Sequence, residues 1–236
     1  MVDLIHTPPA DTRASSTWRP LVVTAHMAEP VVTTDAVIHL DGVLAWGAFR
    51  AYERRRDRPP LPPMTSAACV DFTIPLATWR FGDVWGWCAS AAQWPVQTIR
   101  STEYVRRKPP EHEYKQYTSA GRYDIALGPA KAHNKPITTS FCRTLTWYAL
   151  GDRDAVAALL RDVTAIGKLV GHGHGVVMRW EVDETGHDWS IARDGALMRR
   201  MPEGWDGRHG THTGAIRAPY HHRTRLVRAV GPDVSC

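Results

Sequence analysis

Cysteine is scarce in this 236-residue chain, and the four present (Cys69, Cys88, Cys142 and Cys236) stand far apart with no C-x-x-C pair. That spacing argues against a zinc ribbon or a dense disulfide framework and points to a reducing cytoplasm. Long hydrophobic runs are missing as well. Charge, proline or glycine interrupts every apolar stretch within about ten residues, far short of the ~20 that span a bilayer, so no membrane association is expected. Residues 1–16 carry no apolar signal core and read as a polar lead-in. The chain also lacks a nucleophile elbow with Ser, His and Asp, a Walker A loop and an H-E-x-x-H motif, which removes several common enzyme classes. No cofactor is expected.

What is present is an ordinary globular balance, 43% hydrophobic and 22% charged, long enough to bury a real core. We expect one domain over residues 17–236. The net charge of +5 and the pI near 9.2 come with clustering. Arg54, Arg55, Arg56 and Arg58 form one group, Arg106, Arg107 and Lys108 another, Arg199 and Arg200 a third, and Arg217 to Arg228 a fourth. Such patches attract a polyanion, or they are solvated helix ends and loops. Tryptophan is frequent, with ten residues. Trp85, Trp87 and Trp94 lie close to a basic stretch, where they either stack on single-stranded nucleic acid or pack in the core.

Residues 21–27 read as a first strand that resumes at Val31 and Val32. Leu40, Val43, Leu44, Gly47, Ala48 and Ala51 recur at helical spacing, predicting a helix to about Arg56, with Asp41 capping or charging its first turn. Four prolines in residues 59–63 end it and make a stiff extended connector. Strands are expected over 70–79 and 84–89, joined through Phe81, Gly82 and Asp83. Residues 92–140 lose apolar periodicity and gain Arg, Lys, Tyr, Pro and Gly. We read them as an inserted basic arm. A strand over 141–150 follows, then a helix capped by Asp152, with Val156, Leu159, Leu160 and Val163 as its buried stripe, running to about Ile166. A strand over 176–182 and a basic last strand over 226–230 complete the chain. The order matches β-α-β-β-α-β: an α+β, ferredoxin-like domain with an expanded middle and a C-terminal extension.

The most informative segment is 167–175, GKLVGHGHG, with four glycines in nine residues. Such a loop lets backbone approach a ligand and offers N–H groups to phosphate, or it is a tight structural turn. Lys168 adds charge, and His172 and His174 can stack or donate. It follows a helix rather than a strand, so it is not a dinucleotide-binding fingerprint.

A glycine-rich loop after the second helix, running straight into a strand, resembles the RAMP superfamily of CRISPR-associated RNA-binding proteins. Residues 39–46 (HLDGVLAW), 87–91 (WCASA) and 214–220 (GAIRAPY) resemble the type IV CRISPR member that corresponds to the Cas-five family. Together the four motifs span positions 39–220. The resemblance implies a non-catalytic subunit that grips the 5′ handle of a guide RNA and caps a filament of repeated backbone subunits. It also implies contact with a large subunit and with target double-stranded DNA near the protospacer-adjacent motif, and a DinG-like helicase recruited to the complex. By the same resemblance, Gly171, His172, Gly173, His174 and Gly175 contact RNA backbone, beside Lys168. The segment 93–135 matches a thumb, supplying Arg100, Arg106, Arg107, Lys108, Lys115, Lys131 and Lys135. Arg50, Arg217, Tyr220, Arg223 and Arg225 complete the RNA-binding set, with Tyr220 as a stacking surface. The pair His172 and His174 departs from some relatives, in which an aromatic residue often occupies this loop.

Some RAMP relatives are metal-independent endoribonucleases. His26, ending the first strand, and His39, preceding the first helix, sit where a catalytic imidazole would, with Tyr104 or Lys115 completing a set; alternatively both are packing or capping residues. A free-standing nucleic-acid-binding protein is a further alternative. His209, His212, His221 and His222 invite a metal reading, but no carboxylate or cysteine stands at ligand spacing, and none is expected.

Overall fold

The computed structural model describes residues 3–33, 37–65, 69–107 and 131–233. Of the expected site residues, Lys108 and Lys115 lie outside them. The fold is mixed α/β and mostly strand, with two α-helices among the described residues. In chain order it runs β1 (Leu4–Ile5), β2 (Arg19–Met27), β3 (Val31–Val32), α1 (Leu40–Glu53), β4 (Asp71–Phe72), β5 (Thr78–Phe81) and β6 (Val84–Trp87). Then come β7 (Ile99–Arg107), β8 (His133–Phe141), β9 (Thr144–Gly151), α2 (Arg153–Leu160) and β10 (Val177–Glu184). Five short strands close the chain: β11 (Ala192–Arg193), β12 (Ala196–Leu197), β13 (Met201–Pro202), β14 (His212–Ala215) and β15 (Leu226–Val230).

β2 alternates strictly, burying Leu21, Val23, Ala25 and Met27 on one face, as a strand with one covered face should. It is the middle of an antiparallel sheet ordered β10-β2-β9. Bridges from Ala89 to Ala149 and from Gln93 to Thr146 lay residues 89–93 along the outer edge of β9. Both helices contribute to the core on the Leu21 side. At their contact, a Cβ on Gly47 would stand 2.8 Å from the Leu159 carbonyl oxygen, so only glycine lets the helices come this close. Asp152 caps α2 as expected, its side chain accepting from the Ala155 amide at 3.0 Å, an arrangement worth about 1 kcal/mol. The helix ends at Leu160, earlier than its periodicity suggests, although Val163 and Ile166 beyond it are still buried.

A second core gathers Trp79, Cys88, Leu150, Leu197, Met201, Ile216 and Val230. It joins the β5–β6 hairpin to the C-terminal sheet β13-β15-β14. Trp85, Trp87 and Trp94 are buried, which decides for core packing over nucleic-acid stacking. The expected strand over 141–150 is split, because β8 ends at Phe141 and β9 starts at Thr144. The described residues of the expected arm form an antiparallel ladder. Its strands β7 and β8 pair residue for residue from Ile99 with Phe141 to Arg107 with His133, and β7 is exposed along almost its whole length. The weak hydrophobicity of the arm follows from that exposure. No helix among the described residues is long and apolar enough to cross a membrane.

Candidate nucleic-acid interface

Strand pleating sorts the arm residues onto two faces. Glu103, Val105 and Arg107 share one face with His133, Lys135 and Ile137, while Arg100, Tyr104 and Arg106 start on the other. The first face turns toward the glycine-rich loop. Between them lies a groove of about 460 Å³, lined by Val105, Ile137 and Leu169 as apolar surface, by Arg106, Arg107 and Lys135 as cations, and by His133 and His172. His174 approaches Glu103 to 3.9 Å across the same gap. Two segments that are far apart in sequence thus form one basic trough with an apolar floor.

A two-residue strand holds them together. β3 pairs with β8 through Val31 opposite Ser140 and Val32 opposite Thr139. The Val32 carbonyl accepts from the Lys168 amide at 2.7 Å, and the Pro30 carbonyl from the Gly175 amide at 2.8 Å. The amides of His172 and Gly173 are also spent inside the loop, on Leu169 and Val170. Much of the expected N–H cradle is therefore used to shape the loop. At Gly175, with φ +68°, an added Cβ would fall 1.9 Å from the Ile166 carbonyl oxygen, whereas Gly171 has nothing within 4 Å of such an atom. The glycines at the loop base are structural. The side chains of Lys168 and His172, both exposed, are what the loop offers outward.

The remaining expected contacts are placed elsewhere. Lys131 is exposed just before β8. Arg50 lies on the outer side of α1, paired with Glu53 at 3.4 Å and 5.9 Å from the Trp46 ring centre. Arg100 is exposed and pairs across the arm with Ser140. Arg223 opens a short 3₁₀ turn and is exposed.

Three others are turned inward. Arg225 binds the Asp71 carboxylate at 2.6 Å and is buried. Arg217 reaches Asp71 at 3.5 Å and lies 4.2 Å over the Trp85 ring, and burial lowers its pKa despite that carboxylate. Tyr220 stacks on His39 at 4.7 Å and donates its hydroxyl to Asp41 at 2.6 Å, so its hydroxyl and one ring contact are engaged inside the protein. All three have a partner inside the protein: Asp71 for the two arginines, Asp41 and His39 for Tyr220.

Those partners form a buried junction. Arg199, expected among the surface cations, is fully buried. Its guanidinium donates to the carbonyls of Trp87, Ala89 and Ile216 and stands 3.8 Å from Asp41. Asp41 charges the first turn of α1 rather than capping it, since His39 holds the N-cap position; burial raises the Asp41 pKa, and Arg199 and the Tyr220 hydroxyl act against that rise. His39 is buried with neither ring nitrogen hydrogen-bonded, and burial, reinforced by Arg199 and Arg200, holds its pKa well below the ordinary range. The segments 39–46, 87–91 and 214–220 therefore meet in one place and tie α1, the sheet edge and the C-terminal sheet together. His26, by contrast, stands on the opposite sheet face, 2.8 Å from Glu181. Of the His-rich tail, His209 faces Glu203, and the two nitrogens of His222 are taken by Thr224 and Thr65. Among the described residues, no three metal-ligating groups converge.

Residues 19–232 match the family described as CRISPR type IV associated protein Csf3. The chain belongs to that family. It is thereby a type IV CRISPR-associated protein over nearly its whole length, with the arm, the glycine-rich loop and the buried junction all inside the match. No individually curated protein matches it.

Proposed function

We propose that this Csf3-family chain is a non-catalytic, cytoplasmic subunit of a type IV CRISPR ribonucleoprotein, holding the 5′ handle of the guide RNA between its arm and its glycine-rich loop. The observation that carries the reading is the basic groove lined by Arg106, Arg107 and Lys135 from the arm and by Leu169 and His172 from the loop. Cations neutralise phosphates, and the apolar floor suits an unstacked base, which is how single-stranded RNA is held. The open face of the central sheet is less suited, because Glu181 and Asp183 place carboxylates there. Lys131 and Lys168 extend the same charge along the arm and the loop base, and Lys108 and Lys115, outside the described residues, belong to the same proposed set by sequence.

The body is read as one RAMP-like, ferredoxin-like domain from about residue 17. With residues 89–93 taken as the second of four strands, the sheet runs fourth, first, third, second, which supports that assignment. From the family role we extend the reading to filament capping, to contact with the large subunit and with target DNA near the protospacer-adjacent motif, and to a complex that recruits a DinG-like helicase. The burial of His39 speaks against its acting as the general base of an endoribonuclease, since a base must reach the 2′-hydroxyl.

The test is the salt dependence of guide-RNA binding. Reversing Arg106, Arg107 and Lys135 to Glu is expected to weaken binding and to flatten the slope of log K against log salt by about 2, from three lost phosphate contacts at ~0.7 each. An unchanged slope removes the groove from the RNA surface. Recovery from the native operon with guide RNAs of uniform 5′ handle and several copies of a backbone protein is expected alongside. Recovery alone, or with heterogeneous RNA, would leave only a free-standing nucleic-acid binder.

A further inference from the structure

Residues 58–63 (RPPLPP) take no part in the groove or the junction, and they have a conformation that sequence alone dictates. Every residue in the segment is a proline or precedes one. Proline fixes φ near −65° at four of the six positions, and a following proline drives ψ into the extended range at Arg58, Pro59, Leu61 and Pro62, so the segment favours polyproline-II geometry. Two turns of that helix, at ~3.1 Å per residue, make a rod of roughly 19 Å.

The structure pins the rod at both ends and leaves its middle outside. The Tyr52 hydroxyl donates to the Pro59 carbonyl, and Arg58 lies 6.0 Å over the Tyr52 ring. Beyond the prolines, the Thr65 carbonyl accepts from His222 Nε2 at 2.7 Å. Between these anchors, Pro59, Pro60, Pro62 and Pro63 are exposed and Leu61 is half-buried. With three residues per turn, Leu61 marks the edge that faces the body. The two edges carrying Pro59 with Pro62 and Pro60 with Pro63 face solvent. Arg56, also exposed, stands at the N-terminal end. A connector has no need of paired proline ridges held outward, and the anchoring removes the ordering entropy that a flexible ligand would lose on binding.

We propose that residues 58–63, with Arg56 in the turn before them, are a preformed polyproline-II docking ligand for a partner protein with an aromatic-lined groove and a carboxylate pocket at one end. Parallel aromatic rings accept the ridges formed by successive prolines, and the carboxylates accept Arg56. The inference is independent of the RNA-binding groove, which shares no residue with it.

The test titrates the full chain with an isolated SH3 domain whose groove carries both aromatic rings and acidic side chains, followed by isothermal titration calorimetry, because the chain's own ten tryptophans would mask the fluorescence of the groove. Saturable, one-to-one binding is expected. The double variant Pro59→Ala with Pro62→Ala should weaken it at least tenfold. Arg56→Glu, which leaves every proline and both anchors intact, should also weaken it about tenfold, and Arg107→Glu should leave it unchanged. Absence of saturable binding, or binding indifferent to both the proline and the Arg56 variants, overturns the proposal. In the assembled complex, a photo-crosslinker at Met64, which is 55% exposed, should label another protein subunit at aromatic or acidic residues. Labelling confined to RNA would overturn it equally.

Discussion

Arg199 and Arg107 are the same side chain put to opposite uses. Arg199 is sealed in the junction, its guanidinium donating to the carbonyls of Trp87, Ala89 and Ile216 and standing 3.8 Å from the Asp41 carboxylate. Arg107 stands at the end of an exposed strand, facing a groove. Three of the four segments that carry the family resemblance supply the junction, and only the glycine-rich one reaches the groove. The recognisable part of this sequence therefore mostly secures the scaffold. The part expected to meet RNA is an arm whose composition, rather than any motif, drew notice. A buried polar junction tolerates few side-chain combinations, because each unmet partner is costly in low dielectric. A basic surface can be built from many.

The contrast can be broken most forcefully at Arg199. Arg199→Ala should leave buried Asp41 without its counter-charge and take a donor from the carbonyls of Trp87, Ala89 and Ile216, at a cost of about 3–5 kcal/mol, read as a large drop in the denaturant midpoint. Arg107→Ala should leave that midpoint within ~0.5 kcal/mol. Equal effects would erase the distinction between the two regions.

Next in size is the loop base. Gly175→Ala combines a positive φ with a clash against the Ile166 backbone, and should cost more than the ~1–2 kcal/mol of left-handed strain alone. Because the loop shifts with it, guide-RNA affinity should fall too. Gly171→Ala, with open space around it, should change neither by more than about 1 kcal/mol.

The pH response sharpens the comparison further. Above the ordinary imidazole pKa of 6.5, His39 is neutral in both the folded and the unfolded chain. Below it the unfolded chain takes up the proton and the folded one, with His39 buried, does not. Stability should therefore fall as the pH drops from 7 toward 5, by at most ~1.4 kcal/mol per pH unit. Asp41, raised by burial, acts in the opposite sense, its cost fading as the pH falls through its own raised value. His39→Phe should remove the imidazole contribution and leave stability at pH 7 little changed, since the two unpartnered nitrogens disappear with it. A thermal scan across pH that is identical for the variant and the parent would remove His39 as the source.

The smallest expected effect concerns the thiols. Burial pushes Cys88 up to about 12 and Cys142 up to about 11, so at pH 7.5 neither should be alkylated in the folded protein. Mass mapping after brief iodoacetamide treatment checks this.

Local rules settled much of the architecture. The alternation of residues 21–27, the spacing from Leu40 to Ala51, the Asp152 cap and the four prolines after Arg58 each act within a few residues, and each element formed where those rules place it. Long-range pairing settled the rest. The sequence shows Arg199, Arg217 and Arg225 as three more surface cations, because charge is visible in one dimension and a counter-charge more than a hundred residues away is not. Tyr220 reads as a stacking platform until His39 and Asp41 are found against it. The two residues of β3 carry no signal longer than Val31 and Val32, yet they join the arm to the loop. Composition and short periodicity determined a basic arm, a glycine-rich turn and the two helices that lie over the sheet among the described residues. Only the tertiary structure decided which cations face solvent, since desolvating an arginine is favourable only where carbonyls and a carboxylate already wait for it.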